Sequence, residues 1–155
     1  MKRAMSILLA IGFCFAMNAA IAKDHFSGTW KVNFAKSKYD PGPPPKGPNV
    51  TKIESVAGGL KFTVDGVNAE GKPTHYEWSG KFDGKDNPVK GDPARDTAAL
   101  KKVDDHTYEV VNKKGGNVTT TTRSVVSKDG KTRTSTTTGT NAQGQKVNNV
   151  VVSEK

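Results

Sequence analysis

From Gly28 onward the chain is written with a period of two. Leu60, Phe62 and Val64 alternate with Lys61 and Thr63, and Tyr76 and Trp78 alternate with His75 and Glu77. Successive side chains on a strand point to opposite faces, so this alternation describes half-buried strands. Short runs of this kind are separated by turn signals: Gly58-Gly59, Asp83-Gly84, Lys114-Gly115-Gly116 and Asp129-Gly130. No helical period interrupts them. The pattern predicts strands over Gly28–Phe34, about Val50–Val56, Leu60–Val64, Thr74–Phe82, Asp96–Val103, Thr107–Asn112, Val118–Val126, Thr132–Thr140 and Lys146–Ser153, with at most a short weak strand before Pro93. Short connections join neighbours antiparallel. The fold class is therefore all-β, an antiparallel up-and-down meander of about eight to ten strands. Such a sheet hides its edges by closing into a barrel, or, as the second choice, by folding into a β-sandwich.

Register follows from the same alternation. Pairing Val64 with Trp78 sets Phe62 against Gly80 and Leu60 against Phe82, with all the large apolar groups on one face. A one-residue slip would set them against Glu77 and Lys81. Asp129-Gly130 reads as a two-residue hairpin turn, which places Arg123 opposite Thr136. Tyr39 to Pro48 (YDPGPPPKGP) is too rich in proline for a strand and forms an extended loop, the Pro-rich loop at 40–48.

The first twenty-two residues are different. Lys2 and Arg3 precede an apolar run from Ile7 to Met17, and Ala20-Ile21-Ala22 is a small-x-small site. These are the parts of a secretory signal peptide at 1–22. The run is shorter than the roughly 20 apolar residues that a spanning helix needs, and Phe13 before Cys14 does not suit a lipid anchor. The expectation is a single domain over 23–155, exported to the periplasm or the extracellular space, with no transmembrane segment. The only cysteine lies in the leader, so no disulfide supports the exported domain. Its core is thin: from position 23 there are 28 Ile, Leu, Val, Phe, Trp and Tyr residues, sixteen of them Val. That fraction is low for a globular chain, and its β-branched character favours strands. The exported part carries 22 basic residues against 15 acidic, and nineteen of the 22 are Lys. They are dispersed and interleaved with acids, which describes a soluble surface that discourages edge pairing. The expectation is no nucleic-acid partner, and at most weak electrostatic contact with an anionic envelope surface.

Gly28-Thr29-Trp30-Lys31, with Phe26 just before it, resembles the Gly-x-Trp opening of the lipocalins and fatty-acid-binding proteins, the calycin superfamily. The resemblance implies a lipocalin-like barrel whose closed end is plugged by Trp30. It also implies a cavity for an apolar or amphiphilic ligand, partly covered by the long loop after strand one. The sequence departs from the family as well. The Arg-x-Tyr pair that holds a fatty-acid carboxylate is missing, since Thr134-Ser135 follows Arg133 and Ser124-Val125 follows Arg123. The lipocalin Thr-Asp-Tyr segment is missing too.

A cavity in such a barrel would be lined by Phe62, Tyr76, Trp78 and Tyr108, with Arg123 as a fifth candidate ligand-binding residue. If Arg123 faces inward it is a buried cation that needs a carboxylate or a ligand anion; if outward, it is an ordinary surface arginine. Thr132, Thr134, Thr136, Thr138 and Thr140 alternate strictly. They suit a solvent-facing strand, and they are also the residue type of ice-binding sheets. His25, His75 and His106 have no metal-ligand spacing, and no nucleophile or phosphate-binding motif is present. No cofactor, no metal and no catalytic residue is expected. The functional expectation is a non-enzymatic binding protein for a small hydrophobic or amphiphilic molecule. The alternative is a structural or interaction protein of the cell envelope with no small-molecule ligand.

Overall fold

The computed structural model describes residues 24–155; the signal-peptide expectation for 1–22 lies outside them. Ten strands follow one another: β1 Gly28–Val32, β2 Val50–Val56, β3 Gly59–Val67, β4 Pro73–Lys81, β5 Asp86–Pro88, β6 Thr97–Lys102, β7 Thr107–Lys114, β8 Asn117–Val126, β9 Thr132–Thr140 and β10 Lys146–Glu154. All pair antiparallel in one sheet, in the order β4-β3-β2-β1-β10-β9-β8-β7-β6-β5. Every neighbour is a sequence neighbour except β1 and β10, which join the two ends of the chain. The sheet is an up-and-down barrel, nearly closed, and not a sandwich. Its two edge strands meet through the segment after β5: Glu77 N–H donates to Lys90 O (3.1 Å), and Lys90 N–H donates to Glu77 O (3.0 Å). No helix among the described residues is long and apolar enough to cross a membrane.

Three expectations from the sequence need correction. The first strand stops at Val32, because Asn33 caps a single 3-10 turn over Phe34–Lys36 and takes Phe34 off the strand face. The chain then returns to β10, where Lys38 pairs with Val150 before the Pro-rich loop begins. Between β3 and β4, Phe62 faces Trp78, Val64 faces Tyr76 and Leu60 faces Gly80, two residues away from the expected register. An even shift leaves every side chain on its face, so alternation alone does not choose between the two. The Asn68–Lys72 connection does: Asn68 N–H bonds Lys72 O, and Lys72 N–H bonds Asn68 Oδ1 at 2.8 Å. Finally, the Asp129-Gly130 turn is longer than two residues, with Ser127 N–H bonded to Thr132 O. It keeps the same centre, so Arg123 does sit opposite Thr136.

The core fills one end of the barrel. Trp30, Leu60, Leu100, Val126 and Tyr108 are buried there, with Phe26 from the segment before β1 and Phe82 packed against them. Trp30 is fully buried, and its indole N–H donates to Phe26 O at 2.9 Å. Asp24 fixes this N-terminal plug by accepting from the Phe26 and Ser27 amides and from the Ser55 hydroxyl. Burial alone would raise the Asp24 carboxyl, but the hydrogen bonds from Ser27, Ser55 and Phe26 outweigh it and hold the group below its ordinary 3.8. A depressed carboxylate contributes stability that is complete above its unfolded pKa and is lost as pH falls through its folded one. Asp24→Ala is therefore expected to cost about 1 kcal/mol at pH 7, since the site is partly solvated. That is a fall of about 3 °C in Tm. The gap from the parent should narrow when both melts are repeated at pH 3. A gap that is constant across this range would contradict the assignment.

Candidate functional site

Above the core, toward the end that carries the 41–48, 68–72, 89–96 and 141–145 loops, the side chains no longer fill the barrel. A cavity of about 190 Å³ remains. Its two walls have different chemistry, and the register explains why. On β3, β4 and β7 the inward positions are Phe62, Val64, Tyr76, Trp78, Tyr108 and Val110. Phe62 and Trp78 stand directly across from each other and stack, with ring centroids 4.6 Å apart and planes 7° from parallel. On β8 and β9 the inward positions are Thr122, Ser124, Arg133, Ser135 and Thr137, with Thr51 of β2 completing the lining. Here too the cross-strand partners meet: the Thr122 and Thr137 hydroxyls are 2.8 Å apart, and those of Ser124 and Ser135 are also 2.8 Å apart. An aromatic wall thus faces a hydroxyl wall.

Two arginines reach this space. Arg95 comes from the 89–96 loop at the upper end. Its Nε donates to Asp92 at 2.9 Å and its Nη1 to Asn112, and its guanidinium lies 5.0 Å from the Tyr76 ring centre. Arg133 enters from the lower end and is 6% exposed. Its Nη1 donates to the Tyr108 hydroxyl at 3.3 Å, and its guanidinium lies 5.4 Å from the Trp30 ring centre. Its Nε is buried with no hydrogen-bond partner. Ser153, directly opposite Arg133 on β10, has a buried hydroxyl that also lacks a partner. Burial pushes the Tyr76 hydroxyl up, with Arg95 working against it, Asp92 adding to it and Arg133 again opposing it. The group stays protonated at neutral pH.

Four of the five residues expected from the sequence, Phe62, Tyr76, Trp78 and Tyr108, line the cavity together. Arg123 does not join them. It lies on the outer face, exposed, and its Nη1 donates to Glu109 at 2.7 Å across the β7–β8 pair. The strictly alternating threonines of β9 share that outer face. The sequence reading missed both arginines, Arg95 and Arg133, the hydroxyl wall of Thr51, Thr122, Ser124, Ser135 and Thr137, and the valines Val64 and Val110. Among the described residues no group of three or more His, Cys, Asp or Glu side chains is placed to hold a metal ion. Comparison with family models, with curated proteins and with solved structures finds no match to this chain.

Proposed function

We propose that this chain is an exported, non-enzymatic binding protein, periplasmic or extracellular, that holds one small amphiphilic molecule inside its barrel. The observation that carries this reading is the two-sided cavity: a stacked aromatic pair on one wall and paired hydroxyls on the other. A wholly apolar ligand would strand the hydroxyls, and a wholly polar one would leave the aromatic wall without a partner. The lining hydroxyls of Thr122, Ser124, Ser135 and Thr137 have no Asp, Glu, His or Lys among the lining residues to act as a base for them, which favours holding over nucleophilic chemistry. The volume lies below the roughly 300–1,000 Å³ of sites for drug-sized molecules. It suits a compact ligand, of one ring or a short chain, better than a long acyl chain. The resemblance of Gly28-x-Trp30 to the calycin opening is consistent with a carrier role and belongs to the same proposal.

Titrating residues 23–155 with 1-anilinonaphthalene and with short amphiphiles, followed by tryptophan fluorescence, is expected to give saturable one-to-one binding with a Kd of about 1–100 μM. That corresponds to roughly 5–8 kcal/mol. Val64→Phe, which puts a ring into the cavity, should abolish the signal while the far-ultraviolet circular dichroism is unchanged. Linear, non-saturating signals from the parent protein would refute the reading.

A further inference from the structure

We propose that Arg95 sets the size of ligand the barrel accepts: a one-ring molecule fits beneath it, and a larger one binds only by turning its guanidinium aside. This rests on the cavity reading above and adds the residue that determines specificity. Beyond the cavity of about 190 Å³ lies a second space of about 240 Å³, at the 89–96 and 141–145 loops and the start of β8. Its lining is mostly polar and includes Asp92, Asn112, Thr119, Thr120, Asn141 and Gln143. Three residues border both spaces: Tyr76, Arg95 and Thr122. Neither space alone reaches the roughly 300 Å³ at which sites for drug-sized molecules begin, and the two joined exceed it. Whatever stands in the neck between them therefore decides the size of the ligand.

Two of the three are strand residues, Tyr76 on β4 and Thr122 on β8, and the Thr122 hydroxyl is tied to Thr137. Arg95 alone comes from a loop, on a side chain long enough to swing clear. It is held across the neck from several sides. Its Nε donates to Asp92, its Nη1 donates to Asn112, and its guanidinium lies 5.0 Å from the Tyr76 ring centre and 5.9 Å from that of Trp78. Both acceptors are themselves fixed: Asn112 is buried and donates to Thr120 at 3.0 Å, and Asp92 accepts the Ala94 amide at 2.9 Å. The Asp92–Arg95 ion pair is enclosed, its side chains only 15% and 13% exposed, so opening it is costly. A pair that served only to brace its own loop would not lay its guanidinium over two rings of β4 and against a side chain of β7. A one-ring ligand beneath Arg95 leaves these bonds intact. A larger one enters the neck and forfeits them, and a single hydrogen bond between charged groups is worth about 10-fold or more in affinity.

Calorimetric titration of residues 23–155 with two probes tests this: benzyl alcohol, which has one ring, and 1-anilinonaphthalene, which carries a naphthalene and a phenyl. The quantity to follow is the ratio of the two affinities. Arg95→Met keeps an unbranched side chain and loses every hydrogen bond of the latch, and it should raise the ratio in favour of 1-anilinonaphthalene by about 10-fold or more. Asp92→Asn leaves Arg95 in place and weakens its hold, and should move the ratio the same way by a few-fold. A third readout needs no variant. In the parent protein the Arg95 Nε–H, followed by nuclear magnetic resonance, should exchange with water about 10-fold faster or more in the 1-anilinonaphthalene complex than in the benzyl alcohol complex. A ratio that Arg95→Met leaves unmoved or lowers would overturn the proposal and leave the cavity standing, and so would an Arg95 Nε–H equally protected in both complexes. Failure of both probes to bind the parent would overturn it together with the cavity reading.

Discussion

Trp30→Ala is expected to cost about 4 kcal/mol, the size typical of removing a buried large aromatic side chain. Such a loss is a large fraction of the roughly 5–15 kcal/mol that holds most domains folded. This chain has few large apolar groups to spare. The apolar core is confined to one end of the barrel, and Trp30 is the largest side chain fully buried in it. Its ring supports three things at once: the Arg133 guanidinium, the Lys155 ammonium and, through its indole N–H, the Phe26 carbonyl that closes the N-terminal plug. Removing it leaves two cations without their π partner and a carbonyl without its donor. Urea denaturation followed by near-ultraviolet circular dichroism reads this directly. Trp30→Phe keeps most of the volume and the π face and should lose only about 1–2 kcal/mol, chiefly the hydrogen bond. A Trp30→Ala variant within 1 kcal/mol of the parent would show that the closed end is not where the fold is held.

The second large effect concerns barrel closure. Gly91 follows the Glu77–Lys90 pair that joins the two edges. Its φ is +83°, and a Cβ there would lie 2.4 Å from His75 O, a backbone atom that cannot step aside. Gly91→Val meets a penalty for left-handed backbone as well as this clash. It is expected to push the 89–96 loop off β4. The seam hydrogen bonds then open, and Arg95, two residues beyond Pro93 on the same loop, leaves the upper end of the cavity. Hydrogen exchange at the Glu77 and Lys90 amides should speed up about 100-fold, equivalent to roughly 2.7 kcal/mol of local stability. Exchange at the Ser124 and Ser135 amides, on the far side of the barrel, should change much less. Unchanged exchange at the seam would mean that the edges are held by something other than this pair.

Much of the architecture is legible in the sequence, because period-two alternation and turn dipeptides act locally. The strands around Phe62, Trp78 and Val126 and the turn centred on Asp129-Gly130 follow from residues within a few positions of one another. The β3–β4 register does not. Shifting it by two keeps Leu60, Phe62 and Val64 inward, so the choice rests on how the Asn68–Lys72 loop bonds to itself. The arginines show the same limit at the site. Arg123 and Arg133 stand on neighbouring strands, and the Arg123–Thr136 pairing puts them on opposite faces. One of the two must therefore face inward. The deciding signal lies a strand further on: Glu109 comes opposite Arg123, between the large inward residues Tyr108 and Val110. Threonine on both faces of β8 and β9 hides the inner surface, because Thr suits solvent and a hydroxyl-lined cavity equally well. It also accounts for the thin apolar set. One wall of the interior is made of Ser and Thr, so the chain folds around fewer large hydrophobic groups than a filled barrel would need.

The binding surface we propose is the barrel interior and not its outer face. The most direct measurement is nuclear magnetic resonance of isotope-labelled residues 23–155 titrated with 1-anilinonaphthalene. Shift changes are expected to concentrate on inward groups from both walls, the Trp78 and Tyr108 rings, the Val110 methyls and the Ser135 and Thr137 amides. The outward Arg123, Thr134 and Thr136 signals should stay still. Changes confined to the outer face, or spread evenly over the exposed lysines, would contradict it.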